Sequence, residues 1–189
     1  MAWIETISPD GAEGELAELY RRIGGARGGV ADIHQVQSLN PKAMQAHLEI
    51  YKAVVFRRSS LSRQDRERIA VVVSHTNRCP YCIGHHAAAL RNLGEPPETV
   101  AALSEGRLPD SLGEQTAALL DWVRRMTLAP ADASEADVKH LRELGYDDRA
   151  LLDATLTCGY FNFVNRLVLM LGVHLESDYE KTCQADITD

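Results

Sequence analysis

Helix start and stop signals recur along most of the chain, and they constrain its fold more than any other feature. Asn40-Pro41, an N-cap followed by proline in the first helical turn, predicts a helix that runs to about Phe56. Ser62, with an acidic residue three positions on, resembles a capping box and opens the next helix. That helix contains the apolar run Val71–Val73, which is typical of a strand, but the cap and the charged turn before it favour a helix.

Five further helices follow from similar signals. The predicted ranges are 79–92 with Gly94 as the stop, 98–105, 113–128, a segment capped by Ser134 that reaches 144, and 148–171 ended by Gly172. The pattern does not indicate a series of alternating strands. The sequence therefore predicts an all-α protein built as a helical bundle.

The chain divides into three predicted parts. Residues 1–35 form an extension with a helix over 13–23 and a flexible, glycine-rich connector over 24–29. These glycines do not resemble a phosphate-binding loop, because no strand precedes them and no Gly-Lys-Ser/Thr follows. Residues 36–176 form the helical domain, and residues 177–189 form a polar, acidic tail.

Charge and hydropathy argue against several kinds of partner. The 189 residues carry a formal net charge of −7, which does not favour nucleic acid or an anionic membrane as the main partner. The longest apolar run, 167–173, is far shorter than the roughly 20 residues of a membrane-spanning helix. The first residues have neither the basic start nor the apolar stretch of a secretory signal, so we expect a cytoplasmic protein.

Cysteine usage points to the chemistry. Cysteines lie at positions 79, 82, 158 and 183, and in a cytoplasmic chain the Cys79-x-x-Cys82 pair is a candidate metal or redox site. Cys79 falls at the start of a predicted helix, where free backbone N–H groups stabilise a thiolate. His86 lies one turn beyond Cys82, so its imidazole is expected to face that sulfur. Glu67, on the preceding helix, would orient His86 if the two helices form a hairpin.

These four residues resemble the functional quartet of the alkylhydroperoxidase D/carboxymuconolactone decarboxylase superfamily. Glu, Cys, Cys and His stand there at relative positions 0, +12, +15 and +19, as they do here. The peroxidase-related branch is the closer match, because Asn40-Pro41, Leu61-Ser62 and the segment 160–166 also resemble it. The likeness covers roughly residues 36–176.

The resemblance implies an alkylhydroperoxidase D-like bundle that forms homo-oligomers and works on hydroperoxides without a metal or organic cofactor. It implies that Cys82 attacks the O–O bond and becomes a sulfenic acid, and that Cys79 resolves it as a disulfide. Glu67 and His86 would relay the proton, and a thiol reductant of unspecified identity would restore the pair. Alkylhydroperoxidase D itself has a histidine where this chain has Tyr81, which is a poor base at neutral pH.

Other interpretations of the same residues stay open. A structural zinc site would use Cys79 and Cys82 with two of His75, His85 and His86, and the cysteine pair could equally be inert packing. The functional alternatives are a carboxymuconolactone decarboxylase-like enzyme that acts on a small organic acid, and a non-enzymatic, redox-responsive oligomer.

The last predicted helix carries a polar line through a mostly apolar sequence. Its members recur at spacings of three and four: Thr155, Cys158, Asn162 and Asn165. Since buried polar groups must be paired, this line is expected to meet another helix or a subunit interface. We predict that Asn162, Asn165 or Arg166 lies at an interface or beside the thiol pocket, with Tyr81 and His75 as further candidates.

Overall fold

The computed structural model describes residues 2–27, 29–177 and 179. In this described part the regular structure is helical, with nine α-helices: α1 (Gly14–Arg27), α2 (Asp32–Gln35), α3 (Pro41–Tyr51), α4 (Arg63–Thr76), α5 (Pro80–Asn92), α6 (Pro97–Ser104), α7 (Gly113–Leu128), α8 (Glu135–Glu143) and α9 (Asp148–Leu171). A π-helical segment, Lys52–Phe56, continues α3. The predicted all-α fold is confirmed.

Helix caps lie where the sequence predicts them. Asn40 accepts a hydrogen bond from the backbone N–H of Ala43 (3.1 Å), and Ser62 accepts one from that of Asp65 (3.0 Å). Ser134 forms a reciprocal capping box with the third residue of α8. Each cap satisfies a backbone N–H that has no partner within its own helix, which is why local sequence alone locates these helix starts.

α4 is the central helix, which explains why the valine run is helical. It packs against α5, α6, α7 and α9, and Val71 and Val73 have no exposed surface. A helix that is enclosed on most sides loses the usual narrow apolar stripe and shows a continuous apolar segment instead. Burial of each of these valine side chains contributes roughly 1.5–2 kcal/mol of hydrophobic stabilisation.

α1 extends further than the sequence predicts. The helix expected over 13–23 continues to Arg27, so residues 24–27 of the predicted glycine-rich connector are helical, and Gly28 lies outside the described residues. The apolar face of α1 packs on α3, with Leu19 against the cluster that contains Met44. We attribute the extension to these contacts, which offset the roughly 1 kcal/mol that each helical glycine costs.

The second half of the predicted extension contributes to the main core. Ala31, Ile33 and Val36 are buried in the same cluster as the central helices. The predicted tail, 177–189, lies outside the described residues except for positions 177 and 179, and so does Cys183. In the described ranges, none of the helices combines the length and the apolar character that crossing a membrane requires.

Arg66 fixes the end of the π-helical segment. It is buried, and its Nη1 donates to the carbonyl oxygens of Arg57 (2.8 Å) and Val54 (3.5 Å). Carbonyls at the end of a helix have no intrahelical partner, so the guanidinium satisfies them. The contact ties α4 to the π-helical segment, where the Phe56 ring centroid lies 3.9 Å from Cζ of Arg63.

Two helix-ending glycines offer a matched test of packing against α4. Gly94 and Gly106 both have left-handed backbone angles, with φ of 82° and 78°. A Cβ atom added at Gly94 would meet nothing within 4 Å, whereas one at Gly106 would lie 2.1 Å from Cε1 of His75. The His75 ring therefore packs directly on the Gly106 backbone.

We expect Gly94→Ala to lower the free energy of unfolding by about 1 kcal/mol through backbone strain alone. Gly106→Ala should cost roughly 2–3 kcal/mol, because the new methyl group also displaces the His75 ring. Urea unfolding followed by circular dichroism measures both changes. Adding His75→Ala to Gly106→Ala should reduce the loss in the free energy of unfolding to about that of Gly94→Ala. Equal losses in the two glycine variants would show that His75 does not pack on Gly106.

Candidate active site

A small cavity between α3, α4, α5 and α9 brings most of the predicted site residues together. The cavity has a volume of about 60 Å³. Its polar lining includes His34, His47, Arg63, Cys82, His85 and His86, and its aromatic lining includes Tyr51, Phe56, Tyr81, Tyr160 and Phe161. The cavity is thus mainly aromatic, with one thiol and several imidazoles on its wall.

Glu67 is a fully buried carboxylate, with 0% of its side chain exposed. Oε1 accepts hydrogen bonds from Nη2 (2.6 Å) and Nε (2.9 Å) of Arg63, and Oε2 accepts one from Nδ1 of His86 (2.5 Å). Burial raises the pKa of a carboxyl group, but His86 and Arg63 outweigh it, so the pKa of Glu67 lies below its ordinary value. The contact with His86 is the one that the spacing predicts.

The orientation of His86 follows from this contact. Because an ionised carboxylate can only accept hydrogen bonds, Nδ1 of His86 carries a proton, and Nε2 is the ring nitrogen left to exchange one. Phe161 packs against the ring nearly edge-to-face, with 4.5 Å between ring centroids. The imidazole is therefore held from two sides on the wall that it shares with Cys82.

Cys79 and Cys82 are reduced and lie at the start of α5. Cys79 is the N-cap, and its N–H donates to the carbonyl oxygen of Ser74 (2.8 Å) across the tight turn from α4. The turn forces Arg78 into the left-handed region, with φ of 57°, which is strained for a residue with a side chain. Cys82 reaches the cavity wall, whereas Cys79 is buried completely.

Hydrogen bonding shifts the pKa values of the two thiols in opposite directions. The Cys82 thiol donates to the Cys79 sulfur, which lowers the pKa of Cys79 and raises that of Cys82 well above its ordinary value. Burial raises both pKa values. The Cys79 sulfur makes no regular capping hydrogen bond, yet the backbone N–H groups of Cys82 and Tyr81 lower its pKa further. The first ionisation of the pair therefore places the charge mainly on Cys79.

Side-chain amides from α9 and the end of α4 surround the thiols. Asn165 is fully buried and hydrogen-bonded to both thiols, which adds to the lowering of the pKa of Cys79. Its Nδ2 donates to Oγ of Ser74 (3.1 Å), and its Oδ1 accepts from Nδ2 of Asn77 (3.0 Å). Asn77 thus fixes the Asn165 amide with its donating side toward Ser74 and the sulfurs.

The predicted polar line on α9 meets two different environments. Asn162 is half-buried, accepts a hydrogen bond from Asn77 (3.0 Å) and donates one to Thr127 on α7 (3.3 Å). Arg166 and Thr155 are exposed; Arg166 donates to Asn162 (2.6 and 2.9 Å). Asn165 is therefore the member that reaches the thiols, and Arg166 points away from them.

Tyr81 lies on the cavity wall, where it holds two neighbouring segments. Its hydroxyl accepts a hydrogen bond from the N–H of Ile33 (3.3 Å) and donates one to Oε1 of Glu176 (3.0 Å). Glu176 also accepts from the N–H of Asp32 (2.6 Å) and from Nε2 of His85 (3.0 Å). Burial, reinforced by the charge of Glu176, raises the pKa of Tyr81 well above its ordinary value, so Tyr81 does not act as a base.

The histidines that a zinc site would recruit have three different partners. His75 was predicted at a pocket or an interface; it does not line the cavity, because its ring lies against Gly106, and its place at an interface stays a prediction. His85 bonds to Glu176 and His86 to Glu67. The zinc interpretation is not favoured by this arrangement.

Arg63, Ser74 and Asn77 belong to the site but were not predicted from the sequence. The same is true of His34 and His47 in the cavity wall. Arg63 had a signal, because it stands four residues before Glu67 on a predicted helix, which is the spacing of an ion pair. Ser74 and Asn77 had none, since their contacts depend on which face of α9 packs against α4.

The sequence is similar to a known family and to a bacterial relative. The Carboxymuconolactone decarboxylase family matches residues 41–125. The chain is also 26% identical, over 132 residues, to the uncharacterised protein YdfG of Bacillus subtilis strain 168. That match covers 70% of this chain and 88% of the relative.

Several solved structures share the fold along nearly the whole chain. An uncharacterised peroxidase-related protein from Silicibacter sp. TM1040 is 27% identical, with a TM-score of 0.82 over 95% of this chain and 94% of its own. A peroxidase-related protein with an alkylhydroperoxidase AhpD core, from Ralstonia eutropha JMP134, is 21% identical, with a TM-score of 0.87 over 97% of each chain. A variant of the debrominase Bmp8, in complex with 2,3,4-tribromopyrrole, is 17% identical, with a TM-score of 0.75 over 96% of this chain and 97% of its own. At these identities the last two show the fold alone.

The shared hydrogen bond predicts opposite pKa changes for the two thiols. Cys82→Ala removes the donor that stabilises the Cys79 thiolate, so the pKa of Cys79 should rise. Cys79→Ala removes the acceptor and its charge, so the pKa of Cys82 should fall. Thiolate absorbance near 240 nm, followed against pH, measures both.

The titration is made with Cys158 and Cys183 replaced by serine, so that Cys79 and Cys82 are the only thiols, and the double Cys79→Ala/Cys82→Ala variant supplies the background absorbance of the tyrosines. In that background the intact pair should show its first ionisation at lower pH than an ordinary cysteine and its second at much higher pH. If Cys79 titrates at the same pH with and without Cys82, the hydrogen bond does not control its acidity.

Proposed function

We propose that this chain, which matches the Carboxymuconolactone decarboxylase family over residues 41–125 and is similar to a peroxidase-related protein along nearly its whole length, is a thiol-dependent peroxidase that reduces hydroperoxides through Cys79 and Cys82. The observation that carries the proposal is the small cavity whose wall holds Cys82 and His86, with Cys79 hydrogen-bonded to Cys82 behind it. A peroxide in this cavity would meet a sulfur, a proton carrier and a resolving thiol together.

In the first step the Cys82 sulfur attacks the terminal oxygen of the hydroperoxide. An S–O bond forms, the O–O bond breaks, and the remaining oxygen leaves as the alcohol. The Cys82 proton passes to Nε2 of His86 and then to the leaving oxygen, so the step needs no external proton. Glu67 stabilises the imidazolium that exists between the two transfers. The product is a sulfenic acid on Cys82.

In the second step Cys79 resolves the sulfenic acid. Its lowered pKa favours the thiolate, which attacks the Cys82 sulfur. An S–S bond forms, the S–O bond breaks, and the released hydroxide takes up a proton to become water. The two cysteines have then lost two electrons together and the hydroperoxide has gained them. Two equivalents of a thiol reductant return the disulfide to the dithiol.

Acidity and accessibility favour different cysteines as the attacking sulfur. Acidity favours Cys79, but Cys79 has no exposed surface, and Cys82 is the thiol that reaches the cavity. We assign the attack to Cys82, because bond formation requires contact with the peroxide, whereas the proton on Cys82 can move to His86 during the reaction.

The cavity lining supports a small organic hydroperoxide as substrate. Tyr51, Phe56 and Phe161 supply aromatic surface, and the accessible space of about 60 Å³ suits a compact group. A thiol pair that is reduced between turnovers needs a reducing compartment, so the proposal includes a cytoplasmic location.

The fold by itself leaves other chemistries open. Bmp8 shares it and is a debrominase, and the matching family is named after a decarboxylase. A decarboxylase-like activity on a small organic acid would leave the Cys79–Cys82 pair without a role, so we rank it lower. A redox-responsive oligomer would oxidise the pair without turnover.

Oxidation of the reduced protein by an organic hydroperoxide tests which cysteine attacks the peroxide and which one resolves the sulfenic acid. Wild type should form a Cys79–Cys82 disulfide, and Cys79→Ser should accumulate a sulfenic acid on Cys82, as identified by mass spectrometry after trapping with dimedone. Cys158→Ser is the matched control, because Cys158 is also buried but lies between α7 and α9, and it should behave as wild type.

Three outcomes would change the proposal. A sulfenic acid on Cys79 in the Cys82→Ser variant, with none on Cys82 in Cys79→Ser, would reverse the two roles. Thiols that stay reduced would exclude the peroxidase. Formation of the disulfide without sustained, reductant-dependent turnover would favour the redox-responsive oligomer.

Replacement of the buried carboxylate tests the proton relay. Glu67→Gln keeps the shape but cannot stabilise the His86 imidazolium, so kcat/KM for the hydroperoxide should fall by about 10²-fold. Glu95→Gln is the control, because Glu95 is also buried and paired with an arginine of α4, Arg68 (2.7 Å), outside the cavity. It should lower stability and leave kcat/KM unchanged. Equal losses of kcat/KM in both variants would contradict the relay.

A further inference from the structure

A chain of three hydrogen-bonded polar side chains reaches the cavity wall and has no role in the steps described so far. Nε2 of Gln37, in the turn after α2, is hydrogen-bonded to Nδ1 of His47 on α3 (2.7 Å). Nε2 of His47 is in turn hydrogen-bonded to the hydroxyl oxygen of Tyr160 on α9 (2.7 Å). His47 and Tyr160 are buried, and both line the same cavity as the Cys82 thiol. We call Gln37, His47 and Tyr160 the polar chain.

The carbonyl oxygen of Ile33 fixes the direction in which the polar chain donates. It lies 2.7 Å from Nε2 of Gln37, and a carbonyl oxygen can only accept, so this contact identifies the amide nitrogen. The second hydrogen of that nitrogen is donated to Nδ1 of His47. Nδ1 therefore carries no hydrogen, the ring is neutral, and its N–H group is at Nε2. His47 thus donates to Tyr160.

This arrangement makes the Tyr160 hydroxyl a donor. Its oxygen accepts the hydrogen of His47, so the contact with His47 does not use the hydrogen of the hydroxyl itself. Accepting one hydrogen bond also polarises a hydroxyl, which strengthens it as a donor. The Tyr160 ring stacks on Tyr51, with 5.6 Å between ring centroids, and meets Phe161 edge-on at 5.0 Å. The hydroxyl is therefore held in one position in the cavity wall.

The reaction proposed for the thiols needs a donor of this kind. As the Cys82 sulfur bonds to one peroxide oxygen, negative charge develops on the other oxygen before the proton from His86 reaches it. In a cavity lined mainly by aromatic rings, this charge is unfavourable unless a fixed donor meets it. A volume of about 60 Å³ holds a few water-sized groups, so a peroxide bound there touches the walls on several sides.

We propose that Tyr160 is a further catalytic residue, whose hydroxyl donates a hydrogen bond to the leaving oxygen of the hydroperoxide. Gln37 and His47 are positioning residues that keep this hydroxyl a donor. The covalent steps are unchanged: the S–O bond forms, the O–O bond breaks, and the proton of Cys82 reaches the leaving oxygen through His86. Tyr160 keeps its own proton and stabilises the leaving oxygen until the transferred proton arrives. The inference rests on the proposed peroxidase activity and favours hydroperoxides that release an alcohol, because an alkoxide is a poor leaving group.

Two peroxides of similar size test the role of Tyr160. Ethyl hydroperoxide releases an alkoxide-like oxygen, whereas peracetic acid releases a carboxylate, which needs far less stabilisation. Tyr160→Phe should lower the second-order rate constant for oxidation of Cys82 by about 10²-fold with ethyl hydroperoxide, and by less than about fivefold with peracetic acid. The measurement is a single turnover of the reduced protein, stopped with a thiol-blocking reagent and analysed by mass spectrometry, so the reductant does not affect it.

Tyr20→Phe is the matched control. Tyr20 is also a buried tyrosine with a bonded hydroxyl, which donates to the carbonyl oxygen of Ile7 (2.8 Å), but it packs in the separate cluster of α1 and α3. This variant should be less stable than wild type and should be oxidised at the wild-type rate by both peroxides. Thermal melting followed by circular dichroism establishes the temperature at which both tyrosine variants are folded, and the rates are compared there.

Gln37→Glu tests the direction of the polar chain while Tyr160 stays in place. A carboxylate can only accept, so Nδ1 of His47 must then carry the hydrogen. In the neutral ring Nε2 has none, and Tyr160 has to donate to it. NMR of the ring nitrogens should show the hydrogen at Nε2 in wild type and at Nδ1 in the variant. At a pH where the His47 ring carries one hydrogen, Gln37→Glu should slow oxidation by ethyl hydroperoxide about as much as Tyr160→Phe, and the double variant should be no slower.

The outcomes separate this inference from the peroxidase proposal. Equal losses with the two peroxides in Tyr160→Phe would show that the hydroxyl supports the cavity wall and not the leaving oxygen, and would overturn the inference alone. A wild-type rate in Gln37→Glu, with the hydrogen moved to Nδ1, would do the same. Wild-type thiols that stay reduced with both peroxides would refute the peroxidase proposal, and the role of Tyr160 would be refuted with it.

Discussion

The buried carboxylate of Glu67 is the interaction on which the arrangement of the site depends. A carboxylate with no exposed surface is unfavourable by several kcal/mol unless both of its oxygens are satisfied, and here Arg63 and His86 satisfy them. Arg63 lies on the same helix, but His86 lies on α5. The charge therefore couples the register of α5 to that of α4. The turn at Arg78 and the backbone hydrogen bond from Cys79 to Ser74 set that register, and the positions of both sulfurs follow from it.

The two thiols are also buried and are also stabilised by hydrogen bonds, but from weaker, uncharged donors. A buried thiolate needs donors, and the site supplies them from three sources: the partner thiol, the first N–H groups of α5 and the Asn165 amide. Asn77 leaves the Asn165 amide one orientation in which all its hydrogen bonds are made. The result is a polar pocket within an apolar core. The deeper sulfur, that of Cys79, has the lower pKa, and the sulfur of Cys82 is the one that the cavity exposes. That separation suits two cysteines that act in sequence.

Local signals predicted the helices well because the same signals stabilise them. Asn40, Ser62 and Ser134 satisfy backbone groups within three residues of themselves, so no distant contact is needed to locate a helix start. The end of α1 was predicted wrongly, because it depends on a distant contact and not on local signals. Its last turn contains two glycines that favour a loop locally, and packing of α1 on α3 decides the outcome.

The sequence by itself determined the all-helical fold, the position of the cysteine pair at a helix start and the spacing that allows Glu67 to meet His86. These are properties of caps, helical periodicity and short chain separations, and all of them are local. Tertiary structure alone decided that Cys82 and not Cys79 reaches the cavity, that Asn165 contacts the thiols while Arg166 faces solvent, and that His75 packs on Gly106. The physical reason is that these outcomes depend on which helix faces meet, and that is set by the packing of α4, α5 and α9 around one buried charge.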